Sequence, residues 1–222
     1  MAGKRRYEDG CAFAQGLDLV GERWALLVIR ELVFGPKRFT DIKRDLSGIA
    51  TNVLSQRLTD LEEAGVILRR DLPPPARATV YDLTAWGREL VPVFKVMGRW
   101  AARSPHLRGG LPLSVNAALL SLTAMFRPGR SKGFEAALEM RFDGLPFTVT
   151  VAGRQLAVEP GHHPDPQVVI TGDQNILLHV VYMRLPLDEA MAQGLRIEGD
   201  MAVMERFATL FPMPQPAPLG AD

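Results

Sequence analysis

The stretch Thr51–Thr84, TNVLSQRLTDLEEAGVILRRDLPPPARATVYDLT, decides how this chain is read. Its first part spaces Leu54, Leu58 and Leu61 at three- and four-residue intervals, which puts them on one face of a helix over 51–64. Gly65 closes that helix as a C-cap. Val66–Leu72 predicts a strand, Pro73–Arg77 a stiff exposed tip, and Ala78–Leu83 a returning strand. Thr84 then caps a long helix over 85–103 that carries Leu90, Val93, Phe94, Met97 and Trp100.

Upstream, residues 12–20 predict a first helix. Arg23–Val33 predicts a buried second one, with Trp24, Leu27, Val28 and Leu32 at helical spacing, stopped by Gly35-Pro36. Arg38–Leu46 predicts a short helix with Thr40-Asp41 at its start, where a cap and a negative charge are favourable. Helices, a two-stranded hairpin and a final helix make a winged helix-turn-helix, expected over 1–104. Residues 1–10, with Lys4-Arg5-Arg6, read as a short basic arm or as a disordered end.

Ser104-Pro105 to Gly109-Gly110 has breakers and no periodicity, which marks a boundary. Beyond it the pattern changes. Leu113–Phe126 predicts a helix. Phe134–Phe142, Phe147–Val151 and Gln155–Val158 alternate like antiparallel strands, with Asp143-Gly144 and Gly153-Arg154 as turns. Val168–Thr171 predicts a further strand, 173–182 and 187–192 helices, Leu195–Gly199 a last strand, and 201–211 a last helix. The expected class is α+β, with a second domain over 112–211 and a loose Pro-rich tail over 212–222.

Of 222 residues, 47% are hydrophobic and 23% charged, which excludes wholesale disorder. A single cysteine excludes an internal disulfide framework and a cysteine-rich zinc site. No apolar run approaches the ~18–20 residues of a membrane helix, and the start lacks the apolar core of a secretory signal. A cytoplasmic chain without a membrane partner is expected. The net charge of +1 hides a split: residues 1–104 carry 17 Lys+Arg and 13 Asp+Glu (+4), residues 105–222 carry 9 and 12 (−3). A basic front half fits a nucleic-acid module joined to something else. With no Gly-rich phosphate loop, nucleophile elbow or His-Glu metal motif, no enzyme, cofactor or metal is expected. His162-His163-Pro-Asp165 reads as a solvated turn, since adjacent residues of an extended chain point to opposite sides.

The front half resembles the HxlR-type winged helix-turn-helix regulators, a branch of the MarR-like group. The residues that carry this are Cys11, Leu17-Asp-Leu-Val-Gly-Glu-Arg-Trp24, Arg30-Glu-Leu32, Gly35-Pro-Lys-Arg-Phe39, Leu54-Ser-Gln-Arg-Leu58, Leu61-Glu62, Gly65, Tyr81-Asp-Leu-Thr84 and Gly87-Arg88. The back half is similar to the sterol-carrier-protein type of lipid-binding domain through Phe147-Thr-Val-Thr-Val, Val168-Val-Ile-Thr-Gly-Asp and Arg196-Ile-Glu-Gly-Asp200. That resemblance implies helices on a five-stranded, mostly antiparallel sheet around an apolar tunnel.

Together the resemblances imply a ligand-responsive transcriptional regulator that binds pseudo-palindromic double-stranded DNA as a homodimer, with a hydrophobic small molecule in the second domain. Two alternatives stand beside it. One is a thiol sensor acting through Cys11 with a structural second domain. The other is a lipid- or metabolite-binding protein whose winged helix contacts protein. On the 51–64 helix, Asn52, Ser55, Gln56 and Thr59 lie opposite the leucines, and in this fold that face enters the major groove. HxlR-type proteins usually have Ser-Pro-Lys where this chain has Ala50-Thr51-Asn52; the cap is expected to shift to Thr51, and position 52 has no cation to offer. Arg57, on the flank, reads either as a phosphate contact or as a structural ion-pair residue. Arg38, beside Thr40, and Arg77 at the wing tip are candidate phosphate or minor-groove contacts, with Lys37, Arg69 and Arg70 adding charge. Cys11 reads as a small residue packing the first helix at the dimer interface, or as a sensing thiol. Leu17, Leu19, Phe94, Met97 and Trp100 are the dimer candidates. Phe126, Phe134, Phe142, Tyr182, Met183 and Phe207 are the candidate lining of the apolar site.

Overall fold

The computed structural model describes residues 7–74 and 77–218. The arm residues Lys4, Arg5 and Arg6, two residues of the wing tip and the last four of the tail lie outside the described residues. The chain divides into two compact units between Val91 and Pro92.

The first unit runs α1 (Ala12–Val20), α2 (Ala25–Glu31), α3 (Phe39–Asp45), α4 (Thr51–Glu63), β1 (Ile67–Asp71), β2 (Thr79–Leu83) and α5 (Ala85–Arg88). Its core is the apolar faces of these helices: Val28, Ile29 and Leu32 from and after α2, Ile42 and Leu46 at α3, and Leu54, Leu58 and Leu61 from α4, closed by Ile67, Val80 and Leu83 of the hairpin. Each such side chain contributes about 1.5–3 kcal/mol through burial. The hairpin pairs Ile67 with Leu83 through to Asp71 with Thr79. On β1 only Ile67 is buried, so that strand exposes Leu68, Arg69, Arg70 and Asp71 as a wing.

Three helix boundaries depart from the sequence pattern. Trp24 and Leu27 do not share a buried face: Trp24 precedes α2 with φ 78, and Leu27 is exposed. At α4 the N-cap is Ala50, in extended conformation and without a side-chain cap, rather than Thr51. The long helix over 85–103 is two helices, α5 and α6 (Val91–Ala101), interrupted at Glu89 and Leu90. Pro92 has no N–H to give the carbonyl four residues back, so the ladder breaks there while the apolar periodicity continues. Thr84 does cap as expected: its Oγ1 accepts from Gly87 N–H at 2.9 Å and lies 2.8 Å from the Gly65 carbonyl. A side chain at Gly87 would place its Cβ 2.0 Å from the Val66 carbonyl oxygen, so this crossing admits only glycine.

One polar knot joins these elements. The Glu31 carboxylate is fully buried. Its Oε1 accepts from Arg30 Nε and Nη2, at 2.9 and 2.7 Å, and its Oε2 from Lys37 Nζ at 2.9 Å. Lys37 Nζ also reaches Asp45 Oδ2 at 2.7 Å, and the Lys37 backbone exchanges two hydrogen bonds with Tyr81 of β2. Lys37 therefore ties α2, α3 and the wing, and is a structural residue rather than a free cation.

The second unit holds α6, α7 (Val115–Met125), β3 (Ala136–Phe142), β4 (Leu145–Ala152), β5 (Gln155–Pro160), β6 (Val168–Gly172), α8 (Gln174–Met183), α9 (Leu187–Ala192), β7 (Arg196–Gly199) and α10 (Met201–Ala208). The sheet order is β5-β4-β3-β6-β7, and all neighbours are antiparallel except β3 and β6. Asp143 and Gly144 both have positive φ, as a two-residue hairpin turn requires. One sheet face buries Leu138, Met140, Phe142, Phe147, Val149, Val151, Val168 and Ile170. α7 is buried along nearly all its length, and Leu177, Leu178, Val180 and Val181 of α8 and Met204 and Phe207 of α10 complete the core. α6 is the exception, with no buried residue. No helix among the described residues is long and apolar enough to cross a membrane. Residues 211–218 form no regular element, yet the tail is not loose there: Ala217 N–H donates to the Arg103 carbonyl at 2.7 Å.

Replacing Lys37 by methionine should lower the stability of the first unit by about 2–4 kcal/mol, because it strips a buried carboxylate of a cation. Urea unfolding followed by far-UV circular dichroism reads this. A loss below about 0.5 kcal/mol, the value of an exposed pair, would mean that water replaces the ammonium freely.

Candidate functional site

α4 presents Thr51, Asn52, Ser55, Gln56 and Thr59 to solvent, standing on the three buried leucines. Its first turn carries no acidic side chain and no side-chain cap, which leaves the N-terminal N–H groups facing water. Hydroxyl, amide and N–H groups together suit base edges and phosphate oxygens. Gln56 is already engaged, its Nε2 donating to Asp60 Oδ1 at 3.0 Å. Arg57 resolves to its structural reading: it is 15% exposed, with Nη2 3.0 Å from Asp60 and Nη1 3.7 Å from Glu22.

Arg38 is the N-cap of α3, and its N–H donates to Asp41 Oδ2 at 3.3 Å; Thr40 is exposed on the first turn. At the other side, Arg77 is exposed on the wing with φ 33. Arg69 is exposed, while Arg70 and Arg88 both donate to Asp82, at 2.9 and 2.8 Å, and so brace the hairpin. Cys11 is exposed at the N-cap of α1, its N–H donating to Asp9 Oδ1 at 2.8 Å. It does not pack the first helix against its own unit.

Of the dimer candidates, Leu17, Met97 and Trp100 are exposed, Trp100 by 75%, and Leu19 and Phe94 are half-buried. Phe13 on α1 and Val93 and Val96 on α6 are exposed as well, and join them as candidates. Val93, Val96, Met97 and Trp100 recur at three- and four-residue spacing and, with Pro92, line an apolar groove along α6.

In the second unit the candidate lining residues are only partly gathered. Phe126 and Phe207 meet through Phe211, with ring centroids 6.0 and 4.9 Å from it. Phe142 is buried, and Phe134 is half-buried beneath the Arg206 guanidinium, 5.9 Å away. Tyr182 lies with its hydroxyl 2.9 Å from Ser121 Oγ; burial pushes its phenol well up, against the opposing Ser121 bond, so it stays neutral. Met183 is not a lining residue. It is the last residue of α8, 74% exposed, where Arg184 turns left-handed and the chain leaves the packed turn.

Glu139 carries no motif that would single it out, yet it is 1% exposed on the outer sheet face. It accepts from Arg141 Nε, from His162 Nδ1 at 3.0 Å and from His163 N–H at 2.9 Å, and so pins the loop after β5. Burial pushes its carboxyl up, but these bonds and the Arg141 charge outweigh burial and hold it below the usual range. His162 and His163 thus brace a loop that stays solvent-exposed at His162, Pro164 and Asp165.

A helix-turn-helix whose second helix bears an exposed polar face beside a two-stranded wing defines a winged-helix DNA-binding protein. A family description, HxlR-like helix-turn-helix, matches residues 19–106, and the SCP-2 sterol transfer family matches residues 124–212. The uncharacterized HTH-type transcriptional regulator YvaP of Bacillus subtilis is 34% identical over 89 residues, covering 40% of this chain and 82% of that protein. The HTH-type transcriptional regulator YodB of the same organism is 39% identical over 83 residues, covering 37% and 74%. The solved reduced form of YodB from B. subtilis is 33% identical, with a TM-score of 0.40 over 44% of this chain and 97% of that one. The chain belongs to the HxlR-like helix-turn-helix family and carries an SCP-2 domain behind the winged helix.

Because folding lowers the Glu139 pKa, its contribution is complete above the ordinary value of 4.5 and is lost as the pH falls below it. Glu139→Gln should therefore lower the melting temperature at about pH 7, and the gap to wild type should narrow as the pH falls below 4.5. A gap independent of pH would remove the carboxylate from the account.

Proposed function

We propose that this chain is a transcriptional regulator that binds double-stranded DNA as a homodimer, with α4 as the recognition helix and an apolar effector held by the SCP-2 domain. It acts by binding and carries out no reaction. The observation that carries this reading is the face of α4: polar, exposed, free of acid in its first turn and rigidly seated on Leu54, Leu58 and Leu61. YvaP and YodB, named as HTH-type transcriptional regulators, support it.

Two copies would present two α4 helices to successive major grooves, about 34 Å apart. The apolar residues of α1 and the stripe on α6 supply surfaces that a second copy would cover. Effector binding changes DNA affinity only through different affinity for the DNA-competent and incompetent states. A second reading makes Cys11 a thiol sensor; its exposure at the head of α1 favours it. With one cysteine, oxidation gives an intermolecular or mixed disulfide, or an adduct.

Duplexes selected by the protein from a random pool provide the test. In fluorescence anisotropy, Asn52→Ala with Ser55→Ala should weaken binding to the selected duplex by about tenfold or more, at about 1–3 kcal/mol for each base pairing removed. Binding to unrelated duplex should hold. Equal losses on both would take base reading away from α4. In native mass spectrometry wild type should be a dimer and Val96→Glu/Trp100→Glu a monomer; a dimeric variant would put the interface elsewhere. A Cys11→Ser protein that still loses DNA on oxidant treatment would end the sensor reading.

A further inference from the structure

Residues 105–222 are acidic overall, yet their cations are not spread evenly. Residues 105–222 hold nine Lys+Arg, of which Arg127, Arg130, Lys132, Arg154 and Arg206 come from one end of the sheet: the loop from α7 to β3, the β4–β5 turn, and the last turns of α10. Three of these guanidiniums are fastened to that loop and its neighbour by backbone oxygens. Arg130 Nη1 donates to the Thr209 carbonyl at 3.0 Å, Arg206 Nη2 to the Arg130 carbonyl at 2.6 Å, and Arg154 Nε to the Pro128 carbonyl at 3.1 Å. Arg206 Nη1 also meets Thr209 Oγ1 at 3.1 Å. Arg130 and Arg206 thus converge on the same threonine.

None of the five pairs with a carboxylate among the described residues; Glu205, next to Arg206, and Glu135, three residues after Lys132, form no ion pair with them. Like charges gathered at one end of a sheet repel one another, and screening over ~8 Å removes only part of that. A fixed cluster of this kind is at lower energy with an anion over it. Arg130, Lys132, Arg154 and Arg206 are exposed, so the surface suits an extended polyanion better than an enclosed small ion. The exposed large apolar side chains of this unit lie outside both the 127–134 loop and the 153–154 turn. A membrane surface would therefore find charge here without an apolar anchor.

We propose that this cluster is a second, sequence-independent contact to the phosphate backbone of DNA, made by the SCP-2 domain beside the sites that α4 reads. The inference rests on the DNA-binding reading above. When the first unit holds a duplex, the covalent chain keeps residues 105–222, with 9 Lys+Arg against 12 Asp+Glu, close to a polyanion. Their acidic faces are repelled by the phosphates and a cationic face is drawn to them, and the cluster is such a face. Guanidiniums give each phosphate oxygen a directed donor, and backbone fastening spares most of the ordering entropy of a free arginine.

The test compares full-length wild type with Arg130→Gln/Lys132→Gln/Arg154→Gln on selected duplexes of about 24 base pairs, enough for paired half-sites, and of about 60 base pairs. On the long duplex the slope of log affinity against log salt should become shallower by about 0.9 for each contacting cation removed. Affinity for the short duplex should be unchanged, and the gain from lengthening the duplex should be lost. Lys132→Gln, at a residue with no side-chain hydrogen bond, guards against misfolding and should show the effect of one charge. An unchanged slope and an unchanged gain, with wild type still binding DNA, would overturn this inference alone. Wild type that binds no duplex at low salt would instead sink the DNA-binding reading, and this inference with it. Phosphatidylglycerol vesicles that retain wild type but not the triple variant, with DNA binding unaltered, would assign the cluster to membranes and overturn the proposal.

Discussion

The first unit depends on one ammonium group being in the right place. Lys37 sits in the loop between α2 and α3, where its backbone pairs with Tyr81 of the wing and its Nζ bridges Glu31 and Asp45. An uncompensated carboxylate inside this core would cost several kcal/mol. The chain meets that cost with two cations, Arg30 of α2 itself and Lys37, and of the two it is Lys37 that also joins α3 and β2. The angle between wing and helices follows from that closure, and so does the separation of Arg77 from the face of α4. The same knot takes Lys37 out of the pool of free cations, so the positive charge of the front half overstates what is available to a phosphate.

The polar face of α4 is short on charge. Thr51, Asn52, Ser55, Gln56 and Thr59 are neutral, and the one arginine of the helix is committed to Glu22 and Asp60. On the proposed reading, non-specific attraction comes from elsewhere, from Arg69 and Arg77 and from the cationic cluster of the SCP-2 domain, so that base reading and charge attraction would fall to different places along the chain. Small neutral groups discriminate bases without adding to affinity for every sequence.

Much of this is legible from residues alone, for reasons that also mark where legibility stops. Leu54, Leu58 and Leu61 repeat with the helix period, and Asp143-Gly144 fills a turn that demands positive φ, so α4 and the β3–β4 hairpin are readable. The break before α6 is not, because apolar spacing from Leu90 to Trp100 records side chains and Pro92 removes a backbone donor. Ala50 escapes because a search for caps looks for a side-chain oxygen. Glu139 stands at an outward position of its strand, which locally means solvent; the histidines that cover it lie 23 and 24 residues later. Met183 and Phe211 show the same gap at the apolar site: both are bulky, and only the fold decides that one faces water and the other joins Phe126 and Phe207.

The bare stripe of α6 also bears on how long a solitary subunit survives. Val96 and Trp100 on a helix with no buried residue are what chaperones and proteases engage on unfolded chains. Two copies paired as proposed would hide them, while a lone chain would remain open to clearance. Turnover then becomes steepest when synthesis is slow, because pairing falls with the square of concentration and degradation of the lone form does not. On that proposal the level of such a protein in the cell would have a floor below which it is cleared rather than merely diluted, and α6 would set where that floor lies.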